Sequence, residues 1–196
     1  MGYALSLFPA TADDVLDFWF GPRGARGAAR PEWFRKDAAF DARIRDRFGE
    51  LHERASRRDL DDWRAEPPGL IALVVVLDQF SRNLYRNDAR AFGQDAYARE
   101  CARGAIAKGF EARLSPVERM FLYLPFEHHE DLADQEFCIE RMRSLDAFPE
   151  TRGLVGYAKR HADVIRRFGR FPHRNAALGR ASTPEEAEFL KGSPGF

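Results

Sequence analysis

Residues 167–180 read Arg-Phe-Gly-Arg-Phe-Pro-His-Arg-Asn-Ala-Ala-Leu-Gly-Arg, which places Arg167, Arg170, Arg174 and Arg180 beside His173, Asn175 and two phenylalanines. A plain surface loop has no need of the phenylalanines, and a plain core segment does not tolerate the arginines. A structured loop that fixes guanidinium groups satisfies both, because arginine carries a rigid fork of donors matched to carboxylate or phosphate. Two further segments carry chemistry. In Leu77-Asp-Gln-Phe-Ser-Arg-Asn-Leu-Tyr-Arg86 a helix would set Asp78, Arg82 and Arg86 one turn apart on one face, with Gln79 and Asn83 beside them. The plain alternative is an i,i+4 ion-pair ladder worth a few tenths of a kcal/mol per pair. In residues 125–136 the same spacing puts Glu127, Glu130, Asp131 and Asp134 on one face, with His128 a turn from Asp131.

Carboxylates with imidazole at such offsets serve as general acid and base or as metal ligands. No second histidine follows four residues on, as a zinc-protease helix requires, so no metal is expected. The alternative role is a carboxylate-rich helix that pairs with arginines, and the charges support it. Residues 111–150 hold ten acidic and four basic side chains, whereas residues 151–180 hold one acidic and eight basic. On this reading the arginines of 167–180 fasten the last helices onto residues 127–136, and Arg82, Glu127, Glu130, Asp131, Arg170 and Arg174 converge. Such clamping leaves His128, His161 and His173 unexplained, and it does not preclude spare donors lining a cleft. Arg170 is expected to be structural, and Arg174 and His173 to line that cleft.

Whole-chain numbers exclude several classes. At 196 residues the chain suits a single domain with ample core, 1–196. Thirty-one basic residues balance 31 acidic ones, which gives no support to nucleic-acid or membrane-surface binding. Twenty-seven of the basic residues are arginine, a bias that arginine-favouring codon usage explains at scattered positions such as Arg43, Arg45 and Arg57. Cys101 and Cys138 stand alone, which argues against a disulfide scaffold or zinc ribbon and for a reducing compartment. Asp13, Asp14 and Asp17 interrupt any leader-like apolar run, and Leu70–Leu77 is far too short to cross a bilayer. The Met1–Ser6 stretch matches a bare myristoylation pattern with no polybasic support. The expectation is a cytoplasmic protein with no cofactor.

Helix signals run from end to end to position these groups. Thr11 with Asp14, Ser115-Pro-Val-Glu118 and Thr183-Pro-Glu-Glu186 are capping boxes. Gly21, Gly109 and Gly169 sit at helix ends. Phe40, Ile44, Phe48, Leu51 and Ala55 predict an amphipathic helix over 37–58. Residues 22–31 and 64–69 read as loops. Leu70–Leu77 has strand composition, but Phe80, Leu84 and Tyr85 continue it at helical spacing, and a lone strand has no partner. Further helices are predicted from Asp88 to Lys108, over 126–145 and over about 150–168. Trp19, Phe20, Phe48, Leu73, Val76, Leu77, Phe80, Phe121 and Leu122 are the expected core. The fold class is all-α, about eight helices in stacked antiparallel pairs.

Four motifs, Asp17-Phe-Trp-Phe-Gly21, residues 77–86, Leu124-Pro-Phe-Glu-His-His-Glu-Asp131 and residues 167–175, resemble the domain-of-unknown-function family numbered 924. The likeness runs in order through to Thr183-Pro-Glu-Glu186. It implies a tetratricopeptide-like all-helical fold and no activity. The family's usual residue after His128 is serine, so His129 is a departure.

Two functions compete. The first is a binding module whose groove holds an anionic peptide or small molecule through arginines and Asn83 or Asn175. The second is a hydrolase or transferase acting on an anionic small molecule, with Glu127, His128 or His173 moving protons and arginines stabilising charge. A purely structural polar core stands against both.

Overall fold

Thr11 starts the first helix of the computed structural model, which describes residues 9–192. Its hydroxyl accepts from the Asp14 amide at 3.2 Å, and Asp14 Oδ2 accepts from the Thr11 amide at 2.8 Å, so two orphan donors are satisfied reciprocally. The helix α1 (Ala12–Phe20) ends at Gly21, whose φ of +91° turns the chain away. The Met1–Ser6 pattern lies outside the described residues. Asp37 caps α2 (Ala38–Ser56), which buries its expected stripe of Phe40, Ile44, Phe48, Leu51 and Ala55, and Asp41 with it.

The loop expected over 64–69 is shorter than its prolines suggest. After a 3-10 turn at Asp61–Ala65, Pro67 and Pro68 open α3 (Pro67–Val74), where a missing N–H leaves nothing unpaired. Gly69 lies inside that helix because a Cβ there would meet the Trp63 carbonyl oxygen at 2.5 Å. From α3 the chain continues as one rod through a π-helical stretch, Val75–Phe80, into α4 (Ser81–Leu84). Residues 70–81 are all buried, so this rod is enclosed on every side as a central helix, apolar through Leu77 and carrying Asp78, Gln79 and Ser81 inward after it. It packs against α1, α2, α5 and α6. Two carbonyls of this stretch take side-chain donors. Leu77 O accepts from the Ser81 hydroxyl at 2.6 Å, and Asp78 O from Arg82 Nη1 at 2.7 Å.

Three predicted helices are cut differently. Asp88 caps only a 3-10 turn, Ala89–Phe92, and α5 (Asp95–Ala107) begins after it. The helix expected over 126–145 is two: α6 (Pro116–Glu127) ends one residue before His128, and α7 (Leu132–Leu145) restarts under the side chain of Asp131. Pro125 has no N–H to continue the ladder, and Asp131 is extended at φ −137°, so the chain turns there. A 3-10 turn at Pro149–Thr151 precedes α8 (Leu154–Phe168), which closes on left-handed Gly169. The Thr183–Glu186 box starts α9 (Pro184–Gly192).

Counting the rod once, the described residues form eight helices and no strand. All nine expected core residues belong to one buried cluster. Cys101 and Cys138 are buried in it as free thiols. A separate small cluster of Val164, Ile165 and Phe171, with Phe168 and Phe189 against it, joins α8 to α9. Among the described residues no helix is long and apolar enough to cross a membrane.

Candidate functional site

Asp78, on the π-helical turn and 1% exposed, is the hub of the polar cluster. Gln79 Nε2 donates to its Oδ2 at 2.6 Å, while His128 Nδ1 lies 2.8 Å and Arg82 Nη1 3.1 Å from Oδ1. Burial works to raise the Asp78 pKa, but Arg82 and His128 outweigh it and hold the carboxyl well below the usual range. Arg82 then reaches Asp95, at the start of α5, with Nη1 3.0 Å from Oδ1 and Nη2 donating to Oδ2 at 3.2 Å. Arg174 Nη1 donates to the same Oδ2 at 3.3 Å. The result is an alternating chain, His128–Asp78–Arg82–Asp95–Arg174, built from four separate segments.

Its last member is the unusual one. The Arg174 guanidinium lies over the rings of Phe92 and Phe171 at 4.6 and 4.7 Å, and its buried Nε has no hydrogen-bond partner. Burial, and then Arg82, lower its pKa to about 10, which few arginines approach. Two guanidinium groups share Asp95: Oδ2 takes a hydrogen bond from each, while Oδ1, 3.0 Å from Arg82 Nη1, is buried without a hydrogen bond of its own.

Around the chain stand imidazoles held neutral. Burial lowers His161 to about 3 and His173 to about 4, with Arg174 adding to the latter. Burial and Arg82 also lower His128. His161 Nδ1 lies 3.0 Å from Tyr157 O and 3.4 Å from Glu127 Oε1, and the Cys138 thiol is 3.8 Å from Glu127 Oε2. Burial pushes Glu127 up to about 8, so that carboxyl is largely protonated at neutral pH.

The remaining expected residues fasten the fold. Glu130 takes Arg180 in a two-pronged pair at 2.6 and 2.9 Å and accepts from the Phe171 amide at 2.7 Å. Arg180 Nε donates to Asn175, whose Nδ2 donates to Ser182 and Glu186. Arg170 grips Glu186 at 2.7 and 2.9 Å, and Arg167 meets Glu185 at 2.9 Å. The expected six-residue convergence is therefore split. Arg82 and Arg174 meet through Asp95, Glu130 pairs with Arg180, Arg170 turns to α9, and exposed Asp131 caps α7. The single face imagined for Glu127, Glu130, Asp131 and Asp134 does not exist, because the helix breaks between them. Arg86 also leaves the Asp78 face. Helix α4 stops at Leu84, Asn87 at φ +62° reverses the chain, and Arg86 Nη2 and Asn83 Nδ2 both donate to Asp41 Oδ1 at 2.8 Å.

Sequence reasoning missed Asp41, Asp95, Glu186, Phe92 and Phe171. Asp41 left a signal, an acid three residues before Ile44 on an apolar stripe; Asp95 left none. His129, Asp131 and Asp134 could each offer a ligand atom to a cation. Asp134, however, is already met by His129 at 2.8 Å, Arg99 at 3.2 Å and Arg103. Two clefts among the described residues, one beside α1 and α2 and one at Asp61–Ala65, are lined by none of the expected site residues.

A family model described as "Bacterial protein of unknown function (DUF924)" matches residues 15–194. A solved structure of a protein of unknown function from Agrobacterium tumefaciens is 41% identical, with a TM-score of 0.83 over 93% of this chain and 97% of that one. Among curated proteins none matches.

Proposed function

This chain belongs to the DUF924 family, and from that premise we propose that it is a binding protein for a small anionic molecule held at Arg174 and Arg82. One observation carries the reading: a buried arginine, stacked between two phenylalanines, keeps an unpartnered Nε and shares the Asp95 carboxylate with a second arginine. A buried guanidinium donor left unpaired is costly, and a carboxylate or phosphate oxygen relieves that cost with a charge-assisted bond. His128, whose Nδ1 lies on Asp78, offers its Nε2 as a further hydrogen-bonding atom. Arg82, His128 and Asp95 keep 21, 15 and 13% of their side chains exposed, which gives the cluster an edge that solvent reaches. An anionic peptide terminus presents the same oxygens. The expected location is the cytoplasm, with no nucleic acid, membrane or cofactor involved.

The test is thermal unfolding of the wild type and Arg174→Ala with phosphate, sulfate, succinate and citrate. At about 100 times its Kd a ligand adds about 2.7 kcal/mol, a rise of roughly 5–10 °C for a chain of this size. That rise should vanish in the variant. A wild type indifferent to every anion, or a variant that still responds, overturns the reading.

A second reading, a hydrolase or transferase for an anionic small molecule, is favoured by the Asp78–His128 pair. A carboxylate on Nδ1 orients an imidazole so that Nε2 can move a proton. On that reading His128→Gln lowers kcat on phosphate and carboxylate esters while KM stays near the wild-type value. No wild-type turnover across such a panel retires it and leaves the binding role standing.

A further inference from the structure

We propose that the cleft between α1, the first half of α2 and the 21–30 connection is a second ligand site, which takes a small organic anion with an apolar body and grips its charge with Arg43 and Arg47. The cleft holds about 480 Å³, and its floor is Phe18, Phe20 and Phe40. That volume lies within the roughly 300–1,000 Å³ of small-molecule sites. Arg43 and Arg47 stand one helical turn apart on α2, so both point to the same face.

Each guanidinium is already held by rings. Arg43 Cζ is 5.2 Å from the Phe40 centroid and 5.8 Å from that of Phe18; Arg47 Cζ is 5.1 Å from Phe18 and 5.0 Å from Phe48. Phe18 and Phe40 are themselves stacked at 5.2 Å. Stacking fixes the plane of a guanidinium and leaves its in-plane N–H donors facing outward. Among the described residues neither arginine has a carboxylate within ion-pair distance or a hydrogen-bond acceptor, whereas the other cleft arginine, Arg30, is spent on Phe18 O and Trp19 O at 2.7 and 3.0 Å. The cleft carboxylate, Asp17, is answered by Arg26 at 2.6 Å. Arg47 feels Asp14 at longer range and contributes to lowering that carboxyl, but makes no ion pair with it. Two oriented cations over an apolar floor select against inorganic anions, which waste the floor, and against neutral aromatics, which waste the cations. An aromatic carboxylate uses both.

The probe is 1-naphthoate, with neutral 1-naphthamide as its uncharged counterpart, measured by calorimetry and by amide shifts in ¹⁵N spectra. Saturable naphthoate binding with a Kd of about 1 mM or tighter is expected, with shifts at Gly21, Ala25 and Ala28. Arg43→Gln/Arg47→Gln should weaken it about tenfold or more, with each single variant between, and naphthamide should bind wild type and variants alike. The single variants decide the matter if the double variant does not fold. Absence of saturable binding, equal affinity in the single variants, or shifts confined to the surroundings of Arg174 overturns the proposal. The last outcome would assign the anion to the other site.

Discussion

At the scale of single residues, burial rather than net charge sets the chemistry, and its signs can be worked out. Glu127, ordinarily near 4.5, rises to about 8, so the folded chain keeps a proton that the unfolded chain releases between those values. Its contribution to stability is therefore complete below about 4.5 and lost as pH rises to 8, by at most about 1.4 kcal/mol per pH unit. His52 and His161, lowered to about 4 and about 3, act in the opposite sense: stability falls as pH drops below 6.5. The two effects oppose each other from 4.5 to 6.5, and Glu127 acts without them from 6.5 to 8. Glu127→Gln should flatten the decline of the urea midpoint between pH 6.5 and 8; an unchanged slope would show that Glu127 is ionised in the folded chain. The sequence made Glu127, His128 and His161 visible as candidates by type. It could not reveal that Glu127 is protonated, because that follows from α7 and α8 closing over it.

At the scale of elements, boundaries were legible wherever a cap announced them and illegible where tertiary contact decided. Thr11, Ser115 and Thr183 each open a helix as read. Pro67-Pro68-Gly69 looked like a loop because both residue types usually break helices, yet the prolines occupy the first turn and the glycine lies against Trp63. A glycine at an exposed helical position gains about 1 kcal/mol on replacement by alanine. Here the added Cβ would sit 2.5 Å from a backbone oxygen, which cannot swing aside as a side chain could. Gly69→Ala is thus expected to lose roughly 1–3 kcal/mol in denaturant unfolding, the cost of an overpacked site, and a gain would mean that the α3 start shifts freely. The π-helical turn was equally hidden. Its residues read as continuous helix, whereas in the fold Ser81 and Arg82 bond to Leu77 O and Asp78 O, and Asp78 and Arg82 meet His128 and Asp95.

At the scale of the whole molecule, the contrast between acidic 111–150 and basic 151–180 foretold that the two regions attract, and Glu130–Arg180 bears this out. It misassigned most of the partners, because Asp95 on α5 intercepted Arg174 and Glu186 on α9 intercepted Arg170. The same distribution divides stability unevenly. The main cluster spans α1 to α8, whereas Glu186 is the one buried residue of α9, which docks through Arg170, Arg167 and the small cluster around Phe171. Few buried apolar contacts mean cheap local opening. Amides of α9 should exchange with solvent roughly tenfold or more faster than those of α3, and faster still in high salt, which screens exposed pairs. Equal protection in both helices would mean that α9 opens only with the whole.

Cys101 and Cys138 give this division a chemical clock. Both thiols are buried, and burial raises their pKa, Cys101 to about 11 and Cys138 well above the ordinary value. An alkylating reagent attacks the thiolate, so each sulfur is shielded twice, by access and by protonation. Since both belong to the main cluster, fraying of α9 leaves them silent, and their rate of modification counts only the openings that break the centre of the molecule.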